Sequence, residues 1–295
     1  MFHLALFRIR AFAAGSLAAL LVSTARGGLQ FMLIIWLQGI WLPLHGYDYA
    51  DTPLWAGIYL LPLTAGFLLA GPLSGYLSDR HGPRAFATGG LLLLAASFVG
   101  LLALPVNFAY PTFAGLLVLS GIGQGMFSAP NTSAIMSSVP AEHRGAASGM
   151  RATFQNSGTA LSIGVFFSLM TAGLAASLPG ALSSGLHAQG VPTPTAASVA
   201  HLPPVSTLFA AFLGNNPIQH LLAPTGVLAN LPAHNLATLT GTQFFPRVIS
   251  APFHHGLSIV FTAAAVMAAI AALASLLRGK QHQNDDSALA DVALD

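Results

Sequence analysis

Arg26 is the residue whose type and position most demand a chemical explanation. It stands in an apolar stretch, with Ser23 and Gln30 three residues before and four after, so all three share one helix face. An arginine at mid-membrane costs about 2.5–3.5 kcal/mol on insertion scales, so it has to face protein or a wet cavity. Two chemistries fit. One is a cavity-lining cation that attracts an anionic group or partners a carboxylate on another helix. The other is a head group that snorkels or is tied to backbone carbonyls. No Asp or Glu falls inside a long apolar stretch, so a carboxylate partner would have to come from outside this chain. Asn131, followed by Thr132 and Ser133, and Gln155, sharing a face with Thr159 and Ser162, are candidates for the same pathway. Pro130 precedes the first group, which could equally satisfy the backbone of a kinked helix. No nucleophile–base pair, zinc spacing or phosphate-cradling loop occurs, and zero cysteines exclude thiol catalysis, thiolate metal sites and disulfides. Gly121, Gly123 and Gly125 imitate a dinucleotide loop, but no strand precedes them and they lie in an apolar stretch, which points to packing. The pattern is that of a non-enzyme, with no cofactor or metal implied.

A second constellation is the run Gly75-Tyr76-Leu77-Ser78-Asp79-Arg80-His81-Gly82-Pro83-Arg84. An apolar stretch arrives there and another leaves, which predicts a tight loop in water between two membrane helices. Gly82 permits a sharp turn, and Pro83 suits a first helical turn because its missing N–H would be unpaired anyway. Asp79 can face the positive end of a neighbouring helix, with Arg80 and Arg84 as counter-charges. A positively charged turn that only fixes topology fits the same residues.

The elements that position these groups are membrane helices. Of the 295 residues 54% are hydrophobic and 6% charged, against about 25% charged in soluble domains. The net charge of +2 comes from few groups and does not indicate nucleic-acid binding. Arg8 and Arg10 precede an apolar run longer than the core of a secretory signal, so a first membrane span is expected instead. Six stretches are long enough to cross a bilayer: 11–37, 54–77, 85–104, 112–137, 147–173 and 254–277. The fold expected is an all-α integral membrane bundle of six helices. Arg8, Arg10, Arg80, Arg84, Arg144, Arg151, Arg278 and Lys280 then fall on one side. By the positive-inside rule that side is cytoplasmic, with both termini. Residues 174–253 are expected as an extracytoplasmic loop of short, proline-broken helices, with Leu208–Leu213 and Phe244-Phe245 resting on the membrane or capping the external mouth. Residues 278–295 read as a cytoplasmic tail. Small residues recur every four positions in the first, second, fourth and fifth helices, as in Gly66, Ala70, Ser74 and Ser78, which predicts close packing. The third helix, with Leu91 to Leu94 and Phe98, is expected to face lipid.

Gly75, Leu77, Asp79, Arg80, Gly82 and Arg84 resemble the G-x-L-x-D-R-x-G-x-[RK] loop of the major facilitator superfamily. The stretches from Leu6 to Phe12, Trp55 to Pro62 and Val139 to Gly149 are similar to its fourteen-helix drug:proton antiporter branch, which includes multidrug efflux proteins. The resemblance covers only the C-terminal half of that branch. It implies alternating access between two six-helix halves built from inverted three-helix repeats, with Gly75, Asp79, Arg80, Gly82 and Arg84 as a cytoplasmic gating loop. Helices one and four would line the cavity, two and five would meet the other half, and three and six would be peripheral. The function implied is the C-terminal half of a proton-coupled efflux carrier for amphipathic small molecules in the cell (inner) membrane. Its partners would be the bilayer, substrate, protons and an N-terminal half of six to eight helices. The alternative is a non-transporting fragment or structural partner subunit.

Overall fold

The computed structural model describes residues 3–277 and contains, among them, six helices long and apolar enough to cross a membrane. The expected tail, with Arg278 and Lys280, lies outside the described residues. We number the helices α1 (Arg10–Leu44), α2 (Thr52–His81), α3 (Pro83–Leu102), α4 (Tyr110–Ser137), α5 (Arg144–Ala188), the short α6 (Thr193–Ala200), α7 (Pro204–Phe212), α8 (Ile218–Leu222) and α9 (Ala233–Thr240), and α10 (Phe244–Leu276). The fold is all-α, as the hydropathy pattern predicts.

Packing is reciprocal: α1 pairs with α5 and α10, while α4 pairs with α2 and α3, and α3 closes the bundle against α10. Lipid supplies little drive for apolar faces to associate, so these seams depend on backbone approach at small residues. Gly121 packs on Leu63 and Phe67 of α2, and Gly125 on Phe67 and Gly71. Gly123, on the opposite face of α4, packs on Gly90 and Leu94 of α3. The three-glycine run is thus a two-sided packing device.

The third helix departs from expectation. Leu91, Leu94 and Phe98 are buried, and Leu92 and Val99 carry its exposed side. Gly90 admits α4, and Thr88 bonds to Ser275 of α10 at 3.0 Å, so α3 is gripped from two sides. The helices left most open are instead α2 and α5.

Beyond residue 173 α5 continues without a break to Ala188, carried by Leu174, Leu178, Leu182 and Leu186, a four-residue stripe that is fully buried. At 1.5 Å per residue it is about 68 Å long, so it overshoots a hydrocarbon core of about 30 Å. The short helices pack around this extension, with Val199, Leu208, Ile218, Leu222 and Leu239 in the same apolar core as the bundle. Phe244 and Phe245 belong to the first turn of α10 and are buried there. Helix α7 lies across the end of α1, where Gly39 meets the backbone of Ala211 and Gln38 donates to the Phe212 carbonyl at 3.0 Å. At that place the ladder of α1 widens into a π-helical turn over Leu37–Trp41, and aromatic rings (Trp36, Trp41, Phe108, Phe113) fill the bundle end.

Candidate functional site

Three helices, α1, α4 and α5, meet around a cavity of about 210 Å³. The backbones of α1 and α5 touch on one side of it: a Cβ added to Gly158 would stand 2.8 Å from the Leu20 carbonyl oxygen. Longer polar side chains fill the other side. Ser23, Arg26 and Gln30 enter from α1, Gln124 and Asn131 from α4, and Arg151, Gln155 and Thr159 from α5. The five pathway candidates, Ser23, Arg26, Gln30, Asn131 and Gln155, therefore converge on one wall-to-wall site.

Asn131 also ties helices together, since its Nδ2 donates to the Gly15 carbonyl of α1 at 3.2 Å. Thr132 bonds back to the Ser128 carbonyl at 2.7 Å and, with Ser133, lines a separate hollow of about 460 Å³ between α2 and α4. The structure thus divides the Asn131-Thr132-Ser133 run between two places. Thr159 bonds back to the Gln155 carbonyl at 3.0 Å, and Ser162 to that of Thr159 at 2.6 Å, so neither hydroxyl proton is left for the cavity.

The electrostatics of the cavity are one-sided. The Nε atoms of Arg26 and Arg151 are buried without a hydrogen-bond partner. Among the described residues, Asp48 and Asp51 lie between α1 and α2, Asp79 in the last turn of α2, and Glu142 ahead of α5. No acid among them faces the two arginines across the cavity. A guanidinium donor left unpaired out of bulk water is a standing cost, so the site is suited to an acceptor that arrives from elsewhere.

The Asp79 loop stands apart, and none of its residues lines the cavity. Gly82 closes α2 at φ +88°, ψ 141°, a conformation that side chains rarely adopt, and its N–H bonds to the Ser78 carbonyl at 2.8 Å. The arginines expected as counter-charges for Asp79 are occupied otherwise. The Arg80 guanidinium lies 4.6 Å from the centre of the Tyr76 ring, and Arg84 donates to the Leu276 carbonyl at the end of α10. Asp79 is exposed in the last turn of α2, where the helix dipole is negative, an unfavourable place for a carboxylate. Gly75 lies on the α2–α4 seam, 3.7 Å from Ala129 by its would-be Cβ.

Sequence reasoning missed Arg151 and Gln124. It placed Arg151 with the flanking cations, yet α5 starts at Arg144, so Arg151 rides two turns up the helix, about 10 Å in. A signal was present: Gln124 precedes Asn131 by seven residues and Arg151 precedes Gln155 by four, so each pair shares a helix face.

Residues 3–163 match the family model of the Major Facilitator Superfamily. The chain belongs to the major facilitator superfamily. That is a family of transporters, not enzymes. The chain is 27% identical over 282 residues to the tetracenomycin C resistance and export protein of Streptomyces glaucescens, covering 96% of this chain and 46% of that protein. It is 31% identical over 191 residues to the methyl viologen resistance protein SmvA of Salmonella typhimurium, covering 65% of this chain and 37% of SmvA. With the multidrug resistance protein Stp of Mycobacterium tuberculosis it shares 32% identity over 181 residues, 60% of this chain and 32% of Stp. The chain thus spans less than half the length of each of these relatives.

Proposed function

We propose that this chain forms one six-helix half of an alternating-access carrier of the fourteen-helix drug:proton antiporter branch, exporting amphipathic small molecules. The observation that carries this reading is how little of α2 and of α5 is covered. Of their most apolar stretches 28% and 33% are buried, against 44% to 50% in the other four spans. On α5 the exposed residues include Asn156 and Ser157. Facing lipid, side-chain amides and hydroxyls without partners are costly, whereas a second protein body can pair them. Alternating access needs two bodies that rock about a site between them, and the Arg26 cavity would be this half's share of that site. The export and resistance functions in the relatives' names support the direction of transport. The bundle end that gathers Arg8, Arg10, Arg80, Arg84 and Arg144 would face the cytoplasm. No acid of the described spans faces the Arg26 cavity, so proton coupling would use a carboxylate of the other half.

Since the chain has no cysteine, a single one can carry a photoactivatable benzophenone maleimide. Attached at Ser157→Cys, it is expected to capture a co-expressed N-terminal half, while at Leu92→Cys on the lipid side of α3 it captures lipid alone. Equal capture at both positions, or capture at neither, would contradict the proposal.

A further inference from the structure

We infer that the Arg26 cavity is an anion site, so that the molecules it takes are amphipathic anions with a carboxylate, sulfonate or phosphate head. The inference rests on the reading of this cavity as the substrate site and names the class of substrate. Two cations from different helices, Arg26 on α1 and Arg151 on α5, line one cavity of about 210 Å³. Both present a buried Nε without a hydrogen-bond partner. Their remaining neighbours there include Gln30, Gln124 and Gln155, neutral amides that can donate to an oxyanion but cannot neutralise a guanidinium. Like charges sharing a space away from bulk water repel, and nothing in the described spans balances them. An oxyanion satisfies both groups at once. A carboxylate or phosphate offers oxygen pairs that match the planar fork of arginine, and charge-assisted bonds of this kind are the strong ones. The apolar side of the wall, Ala19, Val22 and Phe127, accepts the hydrocarbon part of such a molecule. A cation such as a quaternary ammonium would meet two like charges and no acid.

Binding can be read without transport. The full chain in lipid nanodiscs is dialysed against two fluorescent probes of one shape and opposite charge, 2-naphthoate and 2-naphthylmethylammonium. Naphthoate is expected to bind saturably and at least about tenfold more tightly than the ammonium, the equivalent of one lost charge-assisted bond. Arg26→Gln and Arg151→Gln should each weaken naphthoate binding about tenfold, with the double variant showing no saturable binding. Arg26→Lys, which keeps the charge and loses the fork, should fall between. The comparison of the two probes on the unaltered chain needs no variant to fold. Equal or tighter binding of the ammonium, no saturable naphthoate binding, or naphthoate binding untouched in a folded double variant would overturn the inference. If naphthoate binds as expected while the assembled protein moves no substrate, the carrier reading fails and the anion site stands.

Discussion

The α3–α4 seam offers a direct test of how this bundle holds together. A Cβ added at Gly123 would lie 2.7 Å from both the Gly90 carbonyl oxygen and the Leu94 amide nitrogen, and 3.1 Å from the Leu94 Cα. Ordinary contact begins near 3.4 Å, and the obstacles are backbone atoms that no rotamer change can move. Gly123→Ala therefore forces the helices apart by about 0.7 Å at that point. A gap of this size forfeits roughly a quarter to a half of the dispersion attraction along the seam. Overpacking of a tight interior costs about 1–3 kcal/mol, offset by up to about 1 kcal/mol from alanine's better helix propensity. With the full offset, the expected net loss is up to about 2 kcal/mol. Gly164→Ala is the matched control, because nothing lies within 4 Å of its added Cβ on α5, and it should be neutral or slightly stabilising. Unfolding in mixed micelles with rising SDS fraction, followed by circular dichroism, measures both. If Gly123→Ala proves as stable as Gly164→Ala, backbone contact is not what joins α3 to α4.

Asp79→Asn should act with opposite signs on two readouts. Removing a negative charge from the C-terminal turn of α2 should stabilise the chain by about 0.3–1 kcal/mol. In the assembled carrier the same change should cut turnover several-fold at equal expression; unchanged turnover would reduce the loop to a topology signal. Arg26→Ala should lower transport about tenfold or more, with Arg26→Lys recovering part of it. Full transport by Arg26→Ala would favour a head group that merely snorkels. Tyr49, between α1 and α2, has its hydroxyl pKa raised from 10.0 to about 12 by burial. The raised folded value means its contribution to stability is complete below pH 10 and is lost as pH rises through about 12. Tyr49→Phe should therefore show a shallower loss of stability between those pH values, and identical alkaline profiles would refute it.

What could be read from the sequence was local. The Asp79 loop is legible because glycine, proline and charges fall between two apolar runs, and the Arg26 face because residues three and four apart share a side of a helix. The packing role of Gly121 and Gly125 follows from spacing alone. What escaped depends on contacts distant in sequence. The burial of Leu91 and Phe98 is decided by α4 and α10, not by the apolarity of α3, which looks the same toward lipid or protein. The continuation of α5 to Ala188 was obscured by Pro179, although the leucine stripe from Leu174 to Leu186 ran straight through it. The π turn at Leu37–Trp41 lies against α7, more than 160 residues later, where Gln38 donates to the Phe212 carbonyl. Arg151 was hidden by its closeness to other arginines, since hydropathy does not say where on a helix the water ends.

The central claim is that this chain supplies one of two bodies of a carrier, and transport measures it most directly. Purified chain would be reconstituted into liposomes, alone and co-assembled with a separately encoded N-terminal half, under an imposed proton gradient, with accumulation of a fluorescent amphipathic substrate as readout. The account predicts no gradient-driven accumulation by the chain alone and robust accumulation by the assembly. Gradient-driven transport by a demonstrated monomer of this chain would contradict it.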